Sequence, residues 1–270
     1  MGFFRRFLDN QIVWSNRLDT LLPHGFRIDG NQDFIHNFAT EYLTPAALVY
    51  DVGGGKQPMI SVESKQELGI RVVGVDIDEN ELRSAPAGAY DSVVCCDITR
   101  YQGRGDADVV LCQALLEHVA DTASALRAIE SILKPGGVAL LFVPSANAVY
   151  ARLNRFIPER LKRAILFHIF PEAAKAQGFR AYYDRCTPHG IQLVAGDLGL
   201  RTERMRLYYR SDYFAFLAPV YALWRAWILA FYAIDRERAA ETFSVALRKS
   251  VTTWKRSSSK TRTPMIGALK

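Results

Sequence analysis

The stretch that decides the fold is Ala46-Ala47-Leu48-Val49-Tyr50-Asp51-Val52-Gly53-Gly54-Gly55, a short apolar run that ends in an acid and three glycines. Four further apolar runs follow at 71–76, 92–97, 108–112 and 137–144. The runs are continuous rather than alternating, which is typical of strands buried on both faces of a parallel sheet. Helix-compatible segments separate them, most clearly 121–133, with Asp121 as its cap. This alternation predicts a doubly wound α/β sheet.

The flanking sequence predicts additional elements. A helix is expected at 3–22, and a second one at about 32–43 with Asn31 as its cap. After the fifth apolar run, a helix is expected at 189–199. Two more strands are predicted at 201–210 and 242–247.

The charge of the 270-residue chain is unevenly distributed. The formal net charge is +6, but residues 248–270 hold seven Lys or Arg and no acid, so the remaining chain is close to neutral. Residues 45–144 carry a net charge of −6 and residues 145–210 a net charge of +7. The basic excess of the whole chain therefore says little about polyanionic partners, whereas the change of sign near residue 145 indicates a functional boundary.

Acidic residues follow the first three strands, at the edge where open α/β sheets bind ligands. The glycines after Asp51 permit a tight turn and close approach of a ligand. Asp76 could accept hydrogen bonds from two ribose hydroxyls, and Asp97 one from an adenine amino group. Alone, each feature is weak, because glycine turns are usually plain loops and strand-end aspartates usually helix caps. Together they predict an adenosine-containing cofactor.

Two cofactors compete for this pattern. A dinucleotide requires Gly-x-Gly-x-x-Gly, whose third glycine allows close packing of helix and strand. Here the pattern is Gly53-x-Gly55-x-x-Pro58, so the third glycine is missing. S-adenosylmethionine has no phosphate and needs only the tight turn, the ribose acid and the adenine acceptor. The sequence therefore favours S-adenosylmethionine.

The chain resembles the class I S-adenosylmethionine-dependent methyltransferases of the type 11 family. The residues that carry the resemblance are Val49-Tyr50-Asp51-Val52-Gly53-Gly54-Gly55, Gly74-Val75-Asp76-Ile77, Cys96-Asp97-Ile98, Leu115-Leu116-Glu117-His118-Val119 and Leu133-Lys134-Pro135-Gly136-Gly137. They span about residues 45–145. Lys56-Gln57-Pro58 departs from the pattern, where many members carry another small residue.

The resemblance implies a seven-stranded, Rossmann-like, mostly parallel sheet whose last strand is antiparallel. It implies that Asp51, Gly53, Gly54 and Gly55 border the methionine moiety, that Asp76 contacts the ribose, and that Asp97 with Ile98 contacts the adenine. Ile77 is also expected among the cofactor-binding residues. Gln113 is expected near the methionine end.

The sequence is also expected to divide into several parts. A methyltransferase domain (45–249) follows an N-terminal helical extension (1–44). A basic lid insertion (145–186) and an apolar helical insertion (211–239) interrupt that domain, and a disordered basic tail (250–270) follows it.

The expected reaction is displacement at the sulfonium methyl group, with oxygen as the expected acceptor atom. His118 is the candidate base, because a histidine pKa can lie near neutrality; the alternative is that His118 caps or packs the helix after the fourth strand. The acceptor is expected to be a small molecule, a glycan or a lipid-linked molecule. The alternatives are a non-catalytic binding protein on this fold and a nucleic-acid methyltransferase, for which no recognition motif is present.

The two insertions bear on the acceptor and on partners. The basic, aromatic lid either faces an anionic acceptor or is a solvated helix face. Residues 213–234 are apolar and long enough to span a bilayer, but the strand at 242–247 must return to the sheet, so a span is not expected. The segment is instead expected to be buried against the lid, to form a homodimer face, or to lie at a membrane surface.

Cysteine usage indicates a cytoplasmic protein. The apolar residues 213–234 leave peripheral membrane contact as an alternative. The four cysteines are expected to be reduced thiols, since the start of the sequence has no sustained apolar stretch typical of a signal peptide. No Cys/His cluster has zinc spacing, so no metal is predicted.

Overall fold

The computed structural model describes residues 2–156, 180–210 and 213–251, and within them one sheet of seven strands. The strands are β1 (Leu48–Val52), β2 (Arg71–Asp76), β3 (Ser92–Cys95), β4 (Ala107–Gln113), β5 (Leu133–Pro144), β6 (Leu200–Tyr208) and β7 (Thr242–Lys249). Their order is β3-β2-β1-β4-β5-β7-β6, with β7 antiparallel to both neighbours and all other pairs parallel. The predicted doubly wound sheet with an antiparallel last strand is confirmed.

Nine α-helices accompany the sheet in the described ranges. They are α1 (Gly2–Thr20), α2 (Gly30–Asp33), α3 (Val62–Leu68), α4 (Glu79–Arg83), α5 (Thr122–Ile132), α6 (Val149–Phe156), α7 (Pro188–Asp197), α8 (Ala218–Ile234) and α9 (Arg236–Ala239). The predicted cap of α5 is confirmed, since the Asp121 carboxylate accepts the Ser124 N–H at 3.0 Å. α5 stops at Ile132 and β5 begins at once, four residues earlier than the apolar run indicated.

The sheet is buried on both faces, as its continuous apolar strands require. In β4, Val110 and Cys112 face a core completed by α5 and α7, whereas Val109 and Leu111 face a second core. Phe34 and Phe38 fill that second core and are fully buried. The N-terminal segment therefore supplies part of the interior of the sheet domain.

The second predicted helix, at about 32–43, differs from its prediction, and the proposed Asn31 cap is wrong. Asp29 is the cap of α2, because its carboxylate accepts the Gln32 N–H at 3.0 Å. The chain then forms one turn of π-helix across Phe34–Phe38. A short 3₁₀ turn follows at Thr40–Tyr42. The wide turn brings Phe34 and Phe38 onto the sheet together, with ring centroids 6.0 Å apart. Burial of the two aromatic rings thus overrides regular helix pitch.

The predicted lid is described only at 145–156 and 180–186, and the expected disordered tail only at 250–251. Residues 157–179 and 252–270 lie outside the described residues. All four cysteines lie within the described residues and are free thiols, and Cys112 and Cys186 are buried.

The apolar segment forms α8, which packs on α1 and on the chain around Tyr209. A buried arginine holds this packing together: Arg225 is 4% exposed and donates to the main-chain carbonyls of Tyr209 and Phe26. Its Nε also lies 3.0 Å from the Asp19 carboxylate of α1. In the described part of the chain, no helix is both long enough and apolar enough to cross a membrane.

Replacing Arg225 by methionine is expected to lower the free energy of unfolding by about 3 kcal/mol. The methionine keeps the apolar stem but leaves two main-chain carbonyls without their donor. It also removes the positive charge beside the buried Asp19 carboxylate, which keeps its contacts with Tyr221 and Arg210. Urea unfolding of the two proteins measures the difference. Arg83→Met, which removes an exposed ion pair with Glu79, is the matched control and should change stability by less than about 1 kcal/mol. Equal losses in both variants would contradict the role of Arg225.

Candidate active site

The three glycines form a turn that leaves no room for side chains. Gly53 and Gly55 have φ angles of +81° and +49°, which side-chain-bearing residues rarely adopt. A Cβ on Gly54 would lie 2.5 Å from the Asp51 carboxylate and 2.7 Å from the Tyr90 hydroxyl. The turn is fixed to the sheet because the Gly53 N–H donates to the Val75 carbonyl at 2.7 Å. The side chains of Asp51 and Tyr90 therefore pack directly against the backbone of the turn, where only glycine fits.

The Asp51 carboxylate packs against this turn. Its carboxylate is buried and accepts the Met59 N–H at 2.9 Å. Burial raises the pKa of Asp51 to about 6, and the nearby Asp76 charge adds to the rise, while hydrogen bonds from Met59 and Tyr90 oppose it. The structure thus places Asp51 as a group that fixes the loop from 53 to 59.

Tyr90 is a site residue that sequence reasoning missed. Its hydroxyl donates to the Gly55 carbonyl at 3.0 Å, and its ring lies on β2 where a Cβ on Gly74 would be 2.9 Å away. Burial raises the pKa of the Tyr90 hydroxyl, with the charges of Asp51 and Asp76 adding to the effect. The one signal in the sequence was the glycine at position 74, inside a strand where larger residues are preferred.

Asp76 ends β2 beside the glycine turn, as predicted. One carboxylate oxygen accepts the Asp78 N–H at 2.9 Å, and the other would lie 3.2 Å from a Cβ on Gly55. Burial raises the pKa of Asp76, and the Glu81 charge adds to it, against the hydrogen bond from Asp78. The structure therefore brings the predicted ribose acid and the glycine turn together. Ile77, next in sequence, has an exposed side chain.

Lys56-Gln57-Pro58, which depart from the family pattern, leave the glycine turn intact. The Gln57 N–H donates to the Gly54 carbonyl at 2.9 Å, and Lys56 pairs with Glu81 of α4 at 2.9 Å. The two loops at this edge are thus joined by an ion pair.

Asp97 follows β3, one strand further along the same edge. Its Oδ1 accepts both the N–H and the hydroxyl of Thr99, at 2.9 and 2.7 Å, and its Oδ2 lies 4.0 Å from the Arg100 guanidinium. The side chain of Ile98 is buried in the core. Asp97 therefore caps the turn that follows it through one carboxylate oxygen. Because the Ile98 side chain is buried, Ile98 could contact a cofactor only through its own main-chain atoms.

Gln113 ends β4 on the other side of the glycine turn, where the N-terminal segment meets it. Its amide nitrogen donates to Asn31 Oδ1 at 2.5 Å. Asn31, predicted as a helix cap, is instead a neighbour of the candidate site. The 82 residues between the two partners explain why no local pattern indicated this contact.

His118 lies in a short helical turn, Leu116–His118, beyond these residues. Its Nδ1 is 3.2 Å from the Arg180 carbonyl, and its Nε2 is 3.8 Å from the Glu117 carboxylate. The ring is partly exposed. His118 therefore borders the last part of the predicted lid, near Arg180, rather than the glycine turn.

Glu117 is an ionisable group that the sequence did not single out for chemistry. It is 4% exposed, and its Oε2 has no hydrogen-bond partner among the described residues. Burial raises the pKa of Glu117 to about 8. Its main-chain carbonyl accepts the N–H groups of Tyr182 and Tyr183, at 2.7 and 3.0 Å. Glu117 thus joins the turn after β4 to the last part of the predicted lid.

Residues 50–141 match the family model described as a methyltransferase domain. Two curated relatives are named ubiquinone biosynthesis O-methyltransferase. The one from Bordetella bronchiseptica is 38% identical over 165 residues, which is 58% of this chain and 64% of that protein. The one from Albidiferax ferrireducens is 36% identical over 106 residues, which is 36% of this chain and 41% of that protein. The chain thus spans less than two thirds of either relative.

A solved S-adenosylmethionine-dependent methyltransferase from Mesorhizobium loti shares the fold. Its TM-score is 0.54 at 17% sequence identity, and the match covers 83% of this chain and all of that one. The residues described above fit the cofactor, because the Asp76 carboxylate, an acceptor of the kind that ribose hydroxyls require, ends β2 beside the glycine turn. Residues 50–141 are therefore a methyltransferase domain of the type 11 family with class I architecture, and the family, the fold and S-adenosylmethionine as cofactor, all predicted from the sequence, are confirmed.

Proposed function

We propose that this protein transfers the sulfonium methyl group of S-adenosylmethionine to an oxygen of a small molecule. The observation that carries the proposal is the junction of the Gly53-Gly54-Gly55 turn with Asp76 at one edge of the sheet, within a matched methyltransferase domain. The names of the curated relatives support oxygen as the acceptor atom.

S-adenosylmethionine, when bound, supplies an already activated methyl group, so the protein contributes mainly position and exclusion of water. Asp76 would accept the ribose hydroxyls, and the glycine turn would let the backbone approach the methionine part. Asp97 and the main chain of Ile98 would hold the adenine. Gln113, oriented by Asn31, would border the methionine end.

A hydroxyl acceptor must lose a proton, and we assign its removal to His118. A hydrogen bond from Nδ1–H to the Arg180 carbonyl would leave Nε2 as the basic nitrogen. The Arg180 carbonyl would thereby orient the imidazole ring, and the Glu117 carboxyl lies 3.8 Å from Nε2, the nitrogen that would take up the proton.

His118→Ala is expected to lower kcat about 100-fold, because general-base catalysis contributes on that scale. The affinity for S-adenosylmethionine, measured by calorimetry, should stay unchanged. His189→Ala, at an exposed position on α7, is the matched control. A near-normal rate with a lowered melting temperature would assign His118 to packing of the segment near Arg180 instead.

Titration calorimetry with S-adenosylmethionine, followed by an acceptor screen that detects S-adenosylhomocysteine release, tests the proposal. We expect binding, and turnover with a hydroxylated small molecule. Failure to bind the cofactor would favour a non-catalytic binding protein on this fold. Turnover only with glycans, with lipid-linked acceptors or with nucleic acid would replace the proposed acceptor class.

The basic residues near the lid support a preference for anionic acceptors. Arg152, Arg180 and Arg185 are exposed on the described parts of 145–186. Acceptors that carry a carboxylate or phosphate should therefore have lower KM values than their neutral analogues in the same screen.

The outer face of α8 supports contact with an apolar partner, either a membrane surface or a second copy of the chain. Leu223, Trp227 and Ile234 are exposed there, and clustered apolar residues of this size commonly mark interfaces. Co-sedimentation with anionic vesicles distinguishes membrane contact from a dimer, which sedimentation velocity detects without lipid.

A further inference from the structure

The loop between α4 and β3 is fixed to its surroundings on both sides of Tyr90. After Tyr90, the Asp91 N–H donates to the Val72 carbonyl at 2.8 Å, and the Asp91 carboxylate accepts the Val72 N–H at 2.7 Å. The buried Lys65 of α3 donates to the Gly88 carbonyl and to the Asp91 carboxylate, each at 2.8 Å. Lysine is seldom buried without such partners. The main chain at Tyr90 is therefore held in one place.

Tyr90 extends from this loop across β2 to the glycine turn. Its ring crosses the strand at Gly74, where a Cβ would lie 2.9 Å from the ring. Its hydroxyl donates to the Gly55 carbonyl at 3.0 Å, and the Asp51 carboxylate is its second acceptor. A Cβ on Gly54 would meet both the hydroxyl and the carboxylate. Tyr90 therefore contacts the turn at two successive glycines.

The Asp51 carboxylate shares its surroundings with other acidic groups. Besides Tyr90, the titratable groups that interact electrostatically with it are Asp76 at the end of β2 and the Cys112 thiol on β4. Glu81, on the far side of the turn, forms an ion pair with Lys56 at 2.9 Å. Burial raises the pKa of Asp51 to about 6, and the Asp76 charge adds to the rise. Asp51 is therefore mostly ionised at neutral pH and becomes protonated as the pH falls through about 6.

Two hydrogen bonds favour the ionised form of Asp51. The Met59 N–H donates to one carboxylate oxygen at 2.9 Å, and the Tyr90 hydroxyl supplies the other hydrogen bond. Both lower the pKa of Asp51 against the effect of burial. Ionised Asp51 thus links the loop at Tyr90 to the residues that follow the glycine turn.

We propose that Tyr90 is a positioning residue for the cofactor, whose hydroxyl holds the Asp51 carboxylate and the Gly55 carbonyl in the arrangement of the glycine turn that S-adenosylmethionine binds. The inference rests on the proposed function only in placing the cofactor at this turn. Without the hydroxyl, the turn populates further conformations. The apparent affinity then falls with the fraction of molecules that keep the binding arrangement.

Tyr90→Phe, measured in the full chain by titration calorimetry with S-adenosylmethionine, tests the proposal. At pH 7.5 we expect the dissociation constant to rise about tenfold, because one hydrogen bond to a charged acceptor is lost. The phenylalanine keeps the ring on β2, so the melting temperature should fall by no more than about 4 °C. Tyr42→Phe, which removes a hydroxyl beside Phe38 in the second core, is the matched control and should leave affinity unchanged. Wild-type affinity in Tyr90→Phe would overturn the proposal.

The pH profile of cofactor binding separates positioning from a purely structural effect. Wild-type affinity should be nearly constant above pH 7 and should fall as Asp51 is protonated near pH 6. Removing the Tyr90 hydroxyl raises the pKa of Asp51, since a hydrogen bond to the ionised form is lost. The decline in Tyr90→Phe should therefore begin at a higher pH, and the ratio of the two affinities should grow between pH 8 and pH 6. A ratio that is the same at every pH would contradict the coupling of Tyr90 to Asp51.

Asp51→Asn identifies the group that titrates. The asparagine keeps an oxygen for the Met59 N–H but cannot ionise. Most of the decline in affinity between pH 7 and pH 5 should disappear, and adding Tyr90→Phe should weaken binding less than it does in the wild type. A full decline in Asp51→Asn would assign the titration to Asp76 and overturn the role of Asp51 in positioning.

The same titrations distinguish this inference from the proposed function. Wild-type protein that does not bind S-adenosylmethionine at any pH would refute both. Wild-type binding together with an unaltered affinity and pH profile in Tyr90→Phe would refute the role of Tyr90 alone and leave methyl transfer in place.

Discussion

Asp76→Ala is expected to weaken binding of S-adenosylmethionine about 100-fold or more. Asp76 would accept two ribose hydroxyls, and each hydrogen bond to a charged acceptor contributes about 1.5–3 kcal/mol. The loss should be specific to the cofactor, because the Asp76 side chain lies at the glycine turn. Titration calorimetry with S-adenosylmethionine measures the change.

Two further variants distinguish the loss of a cofactor contact from the loss of the fold. Asp76→Asn keeps an oxygen that can accept the Asp78 N–H, so it should retain the melting temperature and show an intermediate affinity. Glu79→Ala removes an exposed acid from the first turn of α4 and should leave affinity unchanged. Wild-type affinity in Asp76→Ala would remove the residue from the cofactor site.

Glu117→Gln is expected to remove a large part of the pH dependence of stability. The pKa of Glu117 is about 8 in the folded chain, against 4.5 ordinarily. Between these values the unfolded chain releases a proton that the folded chain retains, so stability is full below pH 4.5 and falls as pH rises towards 8. Since each pKa unit corresponds to about 1.4 kcal/mol, this carboxyl contributes a loss on the order of 4 kcal/mol at pH 8.5 relative to pH 4.5.

Urea unfolding at pH 5 and pH 8.5 measures this difference. The glutamine variant should lose less stability over that interval than the wild type does. Glu241, whose pKa is also about 8, should leave a second, comparable decline in the variant. Glu67→Gln, at an exposed position on α3, is the control and should keep the full wild-type decline. An unchanged decline in Glu117→Gln would show that Glu117 is ionised in the folded protein.

The sheet could be predicted because its strands are buried on both faces. Burial on two faces makes each parallel strand a continuous apolar run, as in 108–112 and 137–144, and a strand of this kind is visible in sequence without its partners. The glycines and Asp76 were predictable for a related reason, since strand ends in such a sheet converge on one edge. Local chemistry therefore specified both the architecture and the candidate cofactor edge.

The remaining parts of the candidate site depend on contacts that no local pattern encodes. Asn31 meets Gln113 across 82 residues, and Tyr90 reaches the glycine turn from the loop before β3. Glu117 is visible in the sequence only as part of a family motif. Its burial could not be predicted, because that burial depends on the segment at 180–186, which packs over it. A cavity of about 490 Å³ between α6, α8 and α9 likewise exists only when these three helices are packed together.

The strand order also dictates when each part of the molecule can form during synthesis. β7 lies between β5 and β6, so β6 leaves the ribosome before the strand that pairs with it. While α8 is being made, the nascent chain exposes an unpaired strand edge followed by an apolar helix, a combination prone to aggregation. β1 to β5 are complete by then. The cofactor edge can therefore mature first, and insertion of the final strand both closes the sheet and positions Glu241.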